Sequence, residues 1–240
     1  TWKDDSWKNG AATTWLTGSY DAATDTLYWT TGNPGPDIDA EVRSGDNLFS
    51  SSVVALDPNT GKRKWHYQLV HHGIWDFDIP CAPILVDINV NGRMVKALAQ
   101  PTKQAWLYVL NRETGEPVWP IVERPVEKGT VPGEYYAPTQ PFPTAPPAYE
   151  NQGVSEDMLI DFTPELRKEA LELIKNYKIG PIFTPPVESK AEGPWATLVS
   201  SLSGSNWMGG SMDPETGIVY VGSSRGVIAA TERRSLRARR

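Results

Sequence analysis

The stretch that decides the fold is ALDPNTGKRKW, Ala55 to Trp65, together with its second copy VLNRETGEPVW, Val109 to Trp119. Each copy reads as an aliphatic residue, Asp or Asn, two residues, Thr-Gly, three residues and Trp. The glycine suits the positive φ of a hairpin turn, and the Asp or Asn side chain can bond the backbone of that turn. The repeat therefore predicts hairpins in which tryptophan holds a fixed place on the outgoing strand.

A second pattern recurs in YDAATDTLYWTTG (20–32) and MDPETGIVYVGSS (212–224), with Thr three residues and Tyr seven residues after an Asp. We interpret the two patterns as successive hairpins of one four-stranded antiparallel unit. Short strands rich in β-branched and aromatic residues, bounded by turn residues, fill residues 13–119, including PVWPI at 117–121. Repeated units of this kind predict an all-β protein, a β-propeller, with about two and a half four-stranded blades. Because a propeller closes on itself, we expect a partial chain.

Residues 120–200 interrupt this rhythm. The segment is rich in proline and contains TPELRKEALELIKNYKIG, which predicts a helix near 164–178. Thr163 is the expected N-cap, Pro164 suits the first turn, and Gly180 can end the helix. We predict one partial propeller domain over 1–240. Residues 120–200 are then an insertion that packs on the propeller rim and carries no obvious chemistry. The helix in it has one apolar stripe, formed by Leu166, Ala170, Leu173, Ile174 and Tyr177.

Composition excludes several classes of function. The net charge of −6 argues against nucleic acid or an anionic membrane as the main partner. No apolar run reaches the roughly 18 residues of a membrane span, and no signal peptide opens the chain. The lone Cys81 lies in an apolar stretch and is expected to be a buried structural thiol. The basic end at 233–240 is interpreted as a disordered end or a truncation scar.

The stretch HHGIWDFDIP, 71–80, raises the question of function, because Asp76 follows Trp75 in apolar surroundings. A carboxylate there is either a loop acid facing water or a desolvated group that needs a cation or a task. Asp78 is predicted to point the other way, on strand alternation. No phosphate loop, dinucleotide fingerprint or zinc spacing is found in the sequence.

Three other residues are open to two interpretations. Asn33, in TTGNPGPD, is either part of a rigid turn or an oxygen ligand for a hard cation such as Ca²⁺. Trp15, among small residues, either packs in the core or offers its face to a flat ring. Lys103, in QPTKQAW, is either solvated or a hydrogen-bond donor beside a carbonyl-rich cofactor.

Taken together, these motifs resemble the quinoprotein dehydrogenases, the eight-bladed propeller enzymes that depend on pyrroloquinoline quinone (PQQ). The tryptophan-ended repeat resembles the motif by which one blade of that family docks on the next. SGDNLFSSSVVALD, KWHYQ and HHGIWDFD follow in the family's order, and the likeness extends to about residue 224. The proline-rich segment resembles the glucose-dehydrogenase-like branch.

The resemblance implies a site residue by residue. Trp15 matches the tryptophan stacked on PQQ, and Thr13 a side chain that contacts it. Asn33 matches a Ca²⁺ ligand. Asp76 matches the catalytic base, which also contacts the metal, and Lys103 the cation that bonds the quinone oxygens. Asn206, in GSNWMGG, is a weaker match to a cofactor-contacting asparagine.

The implied function is oxidation of a hydroxyl group of a sugar or alcohol by hydride transfer to the quinone, with Ca²⁺ as Lewis acid. A quinone or cytochrome electron acceptor and a periplasmic location are implied as well. We expect weak or no PQQ binding and little or no turnover from the isolated chain. The alternative is a non-catalytic β-propeller scaffold of an outer-membrane assembly complex. The trio Asn33, Asp76 and Lys103 favours the enzyme, because a scaffold has no need of all three.

Overall fold

The computed structural model describes residues 1–8 and 10–232, and it shows a chain built mainly of short strands. Strands β1 (Ser19–Asp21), β2 (Thr26–Thr30), β3 (Ser52–Leu56) and β4 (Arg63–Gln68) form one antiparallel sheet in chain order. This four-stranded meander confirms the first predicted blade. The basic end at 233–240 lies outside the described residues.

The second blade is formed by β5 (Ile84–Val90), β6 (Arg93–Pro101) and β7 (Leu107–Asn111), again antiparallel and in chain order. The turn between β5 and β6 places Asn91 and Gly92 at φ 53° and 83°, as a two-residue hairpin of the predicted kind requires. The predicted strand PVWPI is not a regular strand. It makes one isolated bridge, Leu110 to Pro117, because proline offers no N–H for a ladder.

The tryptophan-ended repeat joins the two blades. The indole Nε1 of Trp65 donates to the carbonyl oxygen of Arg112 at 3.0 Å, and the hydroxyl of Tyr28 donates to the same oxygen at 2.8 Å. Gly115, at φ 81°, lies under the indole so closely that a Cβ there would stand 2.7 Å from the ring atom Cδ2 of Trp65. The tryptophan of the first repeat therefore packs on the glycine turn of the second.

The remaining strands lie in and after the proline-rich segment. A hairpin joins β8 (Ile121–Pro125) and β9 (Thr139–Pro143), and β10 (Gly153–Val154) pairs with β12 (Gly180–Pro181). A mixed sheet has the order β11 (Tyr177–Lys178), β14 (Ala196–Val199), β17 (Ile228–Glu232), β13 (Val187–Glu188). Another hairpin joins β15 (Gly210–Met212) and β16 (Val219–Val221), at the second copy of the Asp–Thr–Tyr pattern. Two short 3-10 helices occupy Ser6–Lys8 and Glu156–Met158.

The helix α1 spans Pro164–Ile174 and begins as predicted, with the side chain of Thr163 accepting a hydrogen bond from the N–H of Leu166. It ends earlier than predicted, because the chain leaves the helix at Lys175 and Gly180 already belongs to β12. Within the helix, only Ile174 of the apolar stripe is buried, and Leu173 is 55% exposed. No helix in the described part of the chain is long and apolar enough to span a bilayer.

The meander brings alternate connections to the same end of the blades. In the first sheet, the β2–β3 connection lies at the end where β4 finishes; in the second sheet, the β6–β7 connection lies at the end where β5 begins. The β4–β5 connection joins these two ends. Asn33 lies in the β2–β3 connection, Asp76 in the β4–β5 connection and Lys103 in the β6–β7 connection. The topology alone therefore places the three predicted site residues at a common end.

Candidate functional site

The stretch 71–80 forms an irregular connection, and its apolar side chains, including Trp75 and Phe77, are buried and hold it in place. Trp75 is only 2% exposed, its indole Nε1 donates to the carbonyl of Thr184 at 2.9 Å, and its ring stacks with that of Phe77. Asp76 itself adopts φ 59°, in the left-handed region. The anchored Trp75 and this turn of the backbone direct the carboxylate of Asp76 away from the aromatic cluster.

The carboxylate of Asp76 joins the other two predicted residues. Its Oδ1 accepts a hydrogen bond from Asn33 Nδ2 at 2.7 Å, and its Oδ2 lies 3.2 Å from Lys103 Nζ. The ammonium of Lys103 also donates to the backbone carbonyl of Asp76 at 3.0 Å, and its side chain is 5% exposed. Asn33, Asp76 and Lys103 thus form one contiguous polar cluster with Asp76 in the middle.

Asp78 belongs to the same cluster, which corrects the expectation that it points away. Its Oδ1 contacts Lys103 Nζ. The expectation was wrong because residues 71–80 are not a strand, so the alternation of side chains on a pleated backbone does not apply. Lys103 is therefore shared between two carboxylates.

Burial raises the pKa of Asp76, and the neighbouring charge of Lys103 opposes that rise. Asp37, from the same connection as Asn33, is the fourth acidic or basic group here. Burial, followed by the charge of Asp76, raises the pKa of Asp37 to about 7. Its Oδ1 is buried, and no hydrogen-bond partner for it is found among the described residues. Sequence reasoning passed over Asp37, although it lies in the same TTGNPGPD stretch as Asn33.

Thr13 lies against the turn that carries Asn33. The N–H of Gly32 donates to the carbonyl of Thr13 at 2.7 Å, and a Cβ on Gly32 would stand 2.8 Å from Thr13 Oγ1, so glycine is needed for the close approach. Trp15, two residues further on, is 52% exposed and does not belong to the buried core. No hydrogen bond or ring contact in the described part of the chain ties Trp15 to the cluster.

Asn206 is linked to the Lys103 turn through its backbone neighbour. The N–H of Ser205 donates to the carbonyl of Thr102 at 3.0 Å. The side-chain oxygen of Asn206 accepts from the N–H of Trp207, so it makes a local contact rather than a contact with the Asp76 cluster. The structure thus brings Asn206 near the turn and leaves its side chain outside the polar cluster.

The amide oxygen of Asn33 and the carboxylate oxygens of Asp76 are of the type that binds a hard cation. Asn33 Oδ1 is buried without a hydrogen-bond partner in the described structure, and it belongs to the amide that already touches Asp76. Amide and carboxylate oxygens are the ligands that Ca²⁺ takes, six to eight at a time. Among residues 1–8 and 10–232, no group of three or more His, Cys, Asp or Glu side chains is arranged to hold a metal. Asn33 and Asp76 therefore offer oxygen donors of the kind that a hard cation takes, but fewer than a full shell needs.

The fold and the cluster together define a class, that of β-propeller proteins with a charged polar site at one end of the blades. The comparison with known families goes further. Residues 1–238 match the family described as PQQ: glucose/ethanol/alcohol dehydrogenase, β-propeller domain. The chain belongs to this family, as the resemblance predicted.

Individual relatives agree with the family. The chain is similar to the probable quinate dehydrogenase (quinone) of Xanthomonas campestris pv. juglandis, with 34% identity over 88% of this chain and 26% of the relative. It is 43% identical to the quinoprotein glucose dehydrogenase of Escherichia coli over 53% of this chain and 16% of that protein. The solved quinohemoprotein alcohol dehydrogenase from Comamonas testosteroni matches with a TM-score of 0.56 and 27% identity, over 92% of this chain and 27% of that one. The chain thus spans about a quarter of the relatives that it matches over most of its length.

Proposed function

We propose that the chain carries the general-base side of the active site of a PQQ- and Ca²⁺-dependent dehydrogenase that oxidises a hydroxyl group of a sugar or alcohol. The observation that carries this proposal is the contact of Asp76 with both Asn33 and Lys103. The family match supports the cofactor, and the relatives named for glucose, alcohol and quinate dehydrogenases support a substrate with a hydroxyl group.

Asp76 is the proposed base. A general base works best when its pKa lies near the working pH, and burial raises the pKa of Asp76 in that direction. The carboxylate of Asp76 would take the proton of the substrate hydroxyl. Lys103 holds that carboxylate in place and offers positive charge beside it, at the position where a reacting oxygen gains electron density.

PQQ, when bound, supplies the two-electron acceptor for the substrate hydride, and Ca²⁺ supplies a Lewis acid. We propose that Asn33 and Asp76 are two of the oxygen ligands of the metal. The exposed indole of Trp15 would stack on the flat ring system, while Thr13, Lys103 and Asn206 supply polar contacts. The exposure of Trp15 supports this role, because an indole buried in the core could not meet a ligand.

The remaining parts of the proposal rest on the family alone. They are a periplasmic location and a quinone or cytochrome as the electron acceptor. Glucose, another polyol and a primary alcohol are all substrates of the proposed chemical class.

The test uses two ligands and matched variants of the chain. We expect Ca²⁺, followed calorimetrically, to bind weakly, because the described residues offer only part of its shell. Added PQQ should then quench tryptophan fluorescence weakly, less in Trp15→Phe, and dye reduction should be slight at most. Asp76→Asn should weaken Ca²⁺ binding and remove any dye reduction, whereas Glu172→Gln, on the exposed face of α1, should change neither. Equal Ca²⁺ affinity in Asp76→Asn and the parent chain would refute the metal assignment.

A further inference from the structure

A buried pair of side chains joins the proline-rich segment to the stretch that carries Asp76. The side chains of His72 and Glu134 are both 0% exposed, and His72 Nε2 lies 3.1 Å from Glu134 Oε1. The ring of Tyr135 packs edge-on against the imidazole, with 4.8 Å between the ring centroids. Residues 62 positions apart therefore meet in a site that water does not reach.

The hydrogen bonds fix the orientation of both side chains of this pair. His72 Nδ1 lies 2.7 Å from the carbonyl oxygen of Gly45, which can only accept, so Nδ1 carries a proton. Glu134 accepts from the N–H of Ala40 at Oε2 and from the N–H of Tyr135 at Oε1, both at 2.8 Å. These contacts hold His72 Nε2 and Glu134 Oε1 within hydrogen-bond distance of each other.

Further charged groups lie close to Glu134. Arg43 is fully buried, and its guanidinium donates to the carbonyl oxygens of Pro36, Asp37 and Gly73. Burial lowers the pKa of Arg43 to about 10, and the negative charge of Glu134 opposes that fall. Burial, followed by the charge of Glu134, raises the pKa of Glu232 to about 8.

A second contact from the proline-rich segment holds His71, the residue before His72. Gln140, 0% exposed, accepts from the N–H of His71 at 2.9 Å and donates to the carbonyl of His71 at 2.7 Å. This pairing fixes the backbone of residue 71 as a strand neighbour would. The proline-rich segment therefore holds residues 71 and 72 by the amide contacts of Gln140 and the buried hydrogen bond of Glu134.

We propose that the proline-rich segment positions the proposed general base, with Glu134 and Gln140 as positioning residues that clamp the backbone at His71 and His72. The stretch needs such support, because His72 and Asp76 both adopt positive φ, at 46° and 59°, and such conformations persist only where surrounding contacts impose them. The positioning role of Glu134 and Gln140 rests on the proposed role of Asp76 as the base. Their contacts with His72 and His71 do not depend on that role.

The experiment measures amide hydrogen exchange in peptides covering residues 71–79 of the chain. In Glu134→Gln the shape of the side chain is kept and its charge is lost, so we expect exchange there to become about ten-fold faster or more. Gln140→Leu, which removes both hydrogen bonds to His71, should act in the same direction. The β6 strand, 93–101, is the internal reference and should stay protected.

The matched control is Glu127→Gln. Glu127 also lies in the proline-rich segment, but its partner is the partly exposed Lys178, so the stretch 71–79 should exchange as in the parent chain. Unchanged exchange of 71–79 in Glu134→Gln and Gln140→Leu would overturn the clamp. Equal acceleration in β6 would also overturn it, because the effect would then be one of global stability.

The ring of His72 gives a readout that needs no variant to fold. In ¹⁵N-histidine-labelled chain, we expect a slowly exchanging proton on Nδ1 of His72, because this buried nitrogen donates to the carbonyl of Gly45; a rapidly exchanging Nδ1 proton would refute the buried contact. The positioning role has its own readout in Ca²⁺ affinity, which should fall in Glu134→Gln and Gln140→Leu but not in Glu127→Gln. If the parent chain neither binds Ca²⁺ nor reduces dye, the proposed function fails while the exchange and ring results still decide the clamp.

Discussion

The ammonium of Lys103 lies 3.2 Å from Asp76 Oδ2 and contacts the carboxylate of Asp78 as well. One buried cation therefore contacts two carboxylates. The charges of Lys103, Asp76 and Asp78 also act on the pKa of a third carboxyl group, that of Asp37. Burial raises the pKa of Asp76 and of Asp37, and the positive charge of Lys103 opposes that rise in both. Such a cluster is stable only while its cation is present, and this gives the first prediction.

Replacing Lys103 by methionine should destabilise the chain by about 3 kcal/mol at neutral pH, because it leaves buried carboxylates without a counter-charge. The loss should shrink as the pH falls, since protonated carboxyls need no partner. Urea unfolding at several pH values, followed by tryptophan fluorescence, measures both effects.

The matched control is Lys96→Met, which removes an exposed pair with Glu113 and should leave stability nearly unchanged. A Lys103→Met variant as stable as Lys96→Met at neutral pH would show that the ion pairs of Lys103 are not maintained in solution.

The second prediction concerns the coupling of Asp37 to Asp76. Asp76→Asn should lower the pKa of Asp37 from about 7, because the negative charge of Asp76 is the second cause of that raised pKa after burial. Carboxyl ¹³C chemical shifts followed against pH measure it directly. An Asp37 that titrates at the same pH in both proteins would contradict the proximity of the two carboxylates.

The raised pKa of Asp37 also has a consequence for stability. A carboxyl whose pKa is higher in the folded state contributes stability that is fully present below its ordinary value of 3.8 and is lost as the pH rises through about 7. Asp37→Asn should therefore gain stability relative to the parent chain as the pH rises from 4 to 7. A constant difference between the two unfolding free energies over that range would show that Asp37 has an ordinary pKa.

The sequence was sufficient to predict the blades, and the three residues that it singled out, Asn33, Asp76 and Lys103, are in contact, while their chemical role stays a prediction. The hairpin repeat is local, since glycine and Asp or Asn act within a few residues, and its period identifies the fold. Asn33, Asp76 and Lys103 meet because alternate connections of a meander share one end, which topology alone decides.

The rest depends on contacts that no local pattern reveals. Glu134 meets His72 across 62 residues, and Gln140 meets His71 across 69, from a segment whose proline content indicates only an extended chain. The error on Asp78 has a different cause, because strand alternation was assumed where the backbone turns at positive φ. The apolar stripe of α1 correctly predicted a helix, but the sequence does not show that Leu173 stays exposed.

The last prediction tests the docking of the two blades. Gly115→Ala should be strongly destabilising for two reasons. Its φ of 81° costs an L-residue about 1 to 2 kcal/mol. The new methyl group would also stand 2.7 Å from the indole of Trp65, and such overpacking should add about 2 kcal/mol. Urea unfolding measures the sum.

Gly61 is the matched control, because it holds the same place in the first repeat, at φ 69°, with no heavy atom within 4 Å of its would-be Cβ. Gly61→Ala therefore incurs the backbone strain without the clash, and the difference between the two variants isolates the contact with Trp65. Trp65→Ala should abolish that difference, since the methyl group at position 115 then meets no ring. If Gly115→Ala costs no more than Gly61→Ala in the parent chain, the indole does not pack on the second repeat, and the blades are joined in another way.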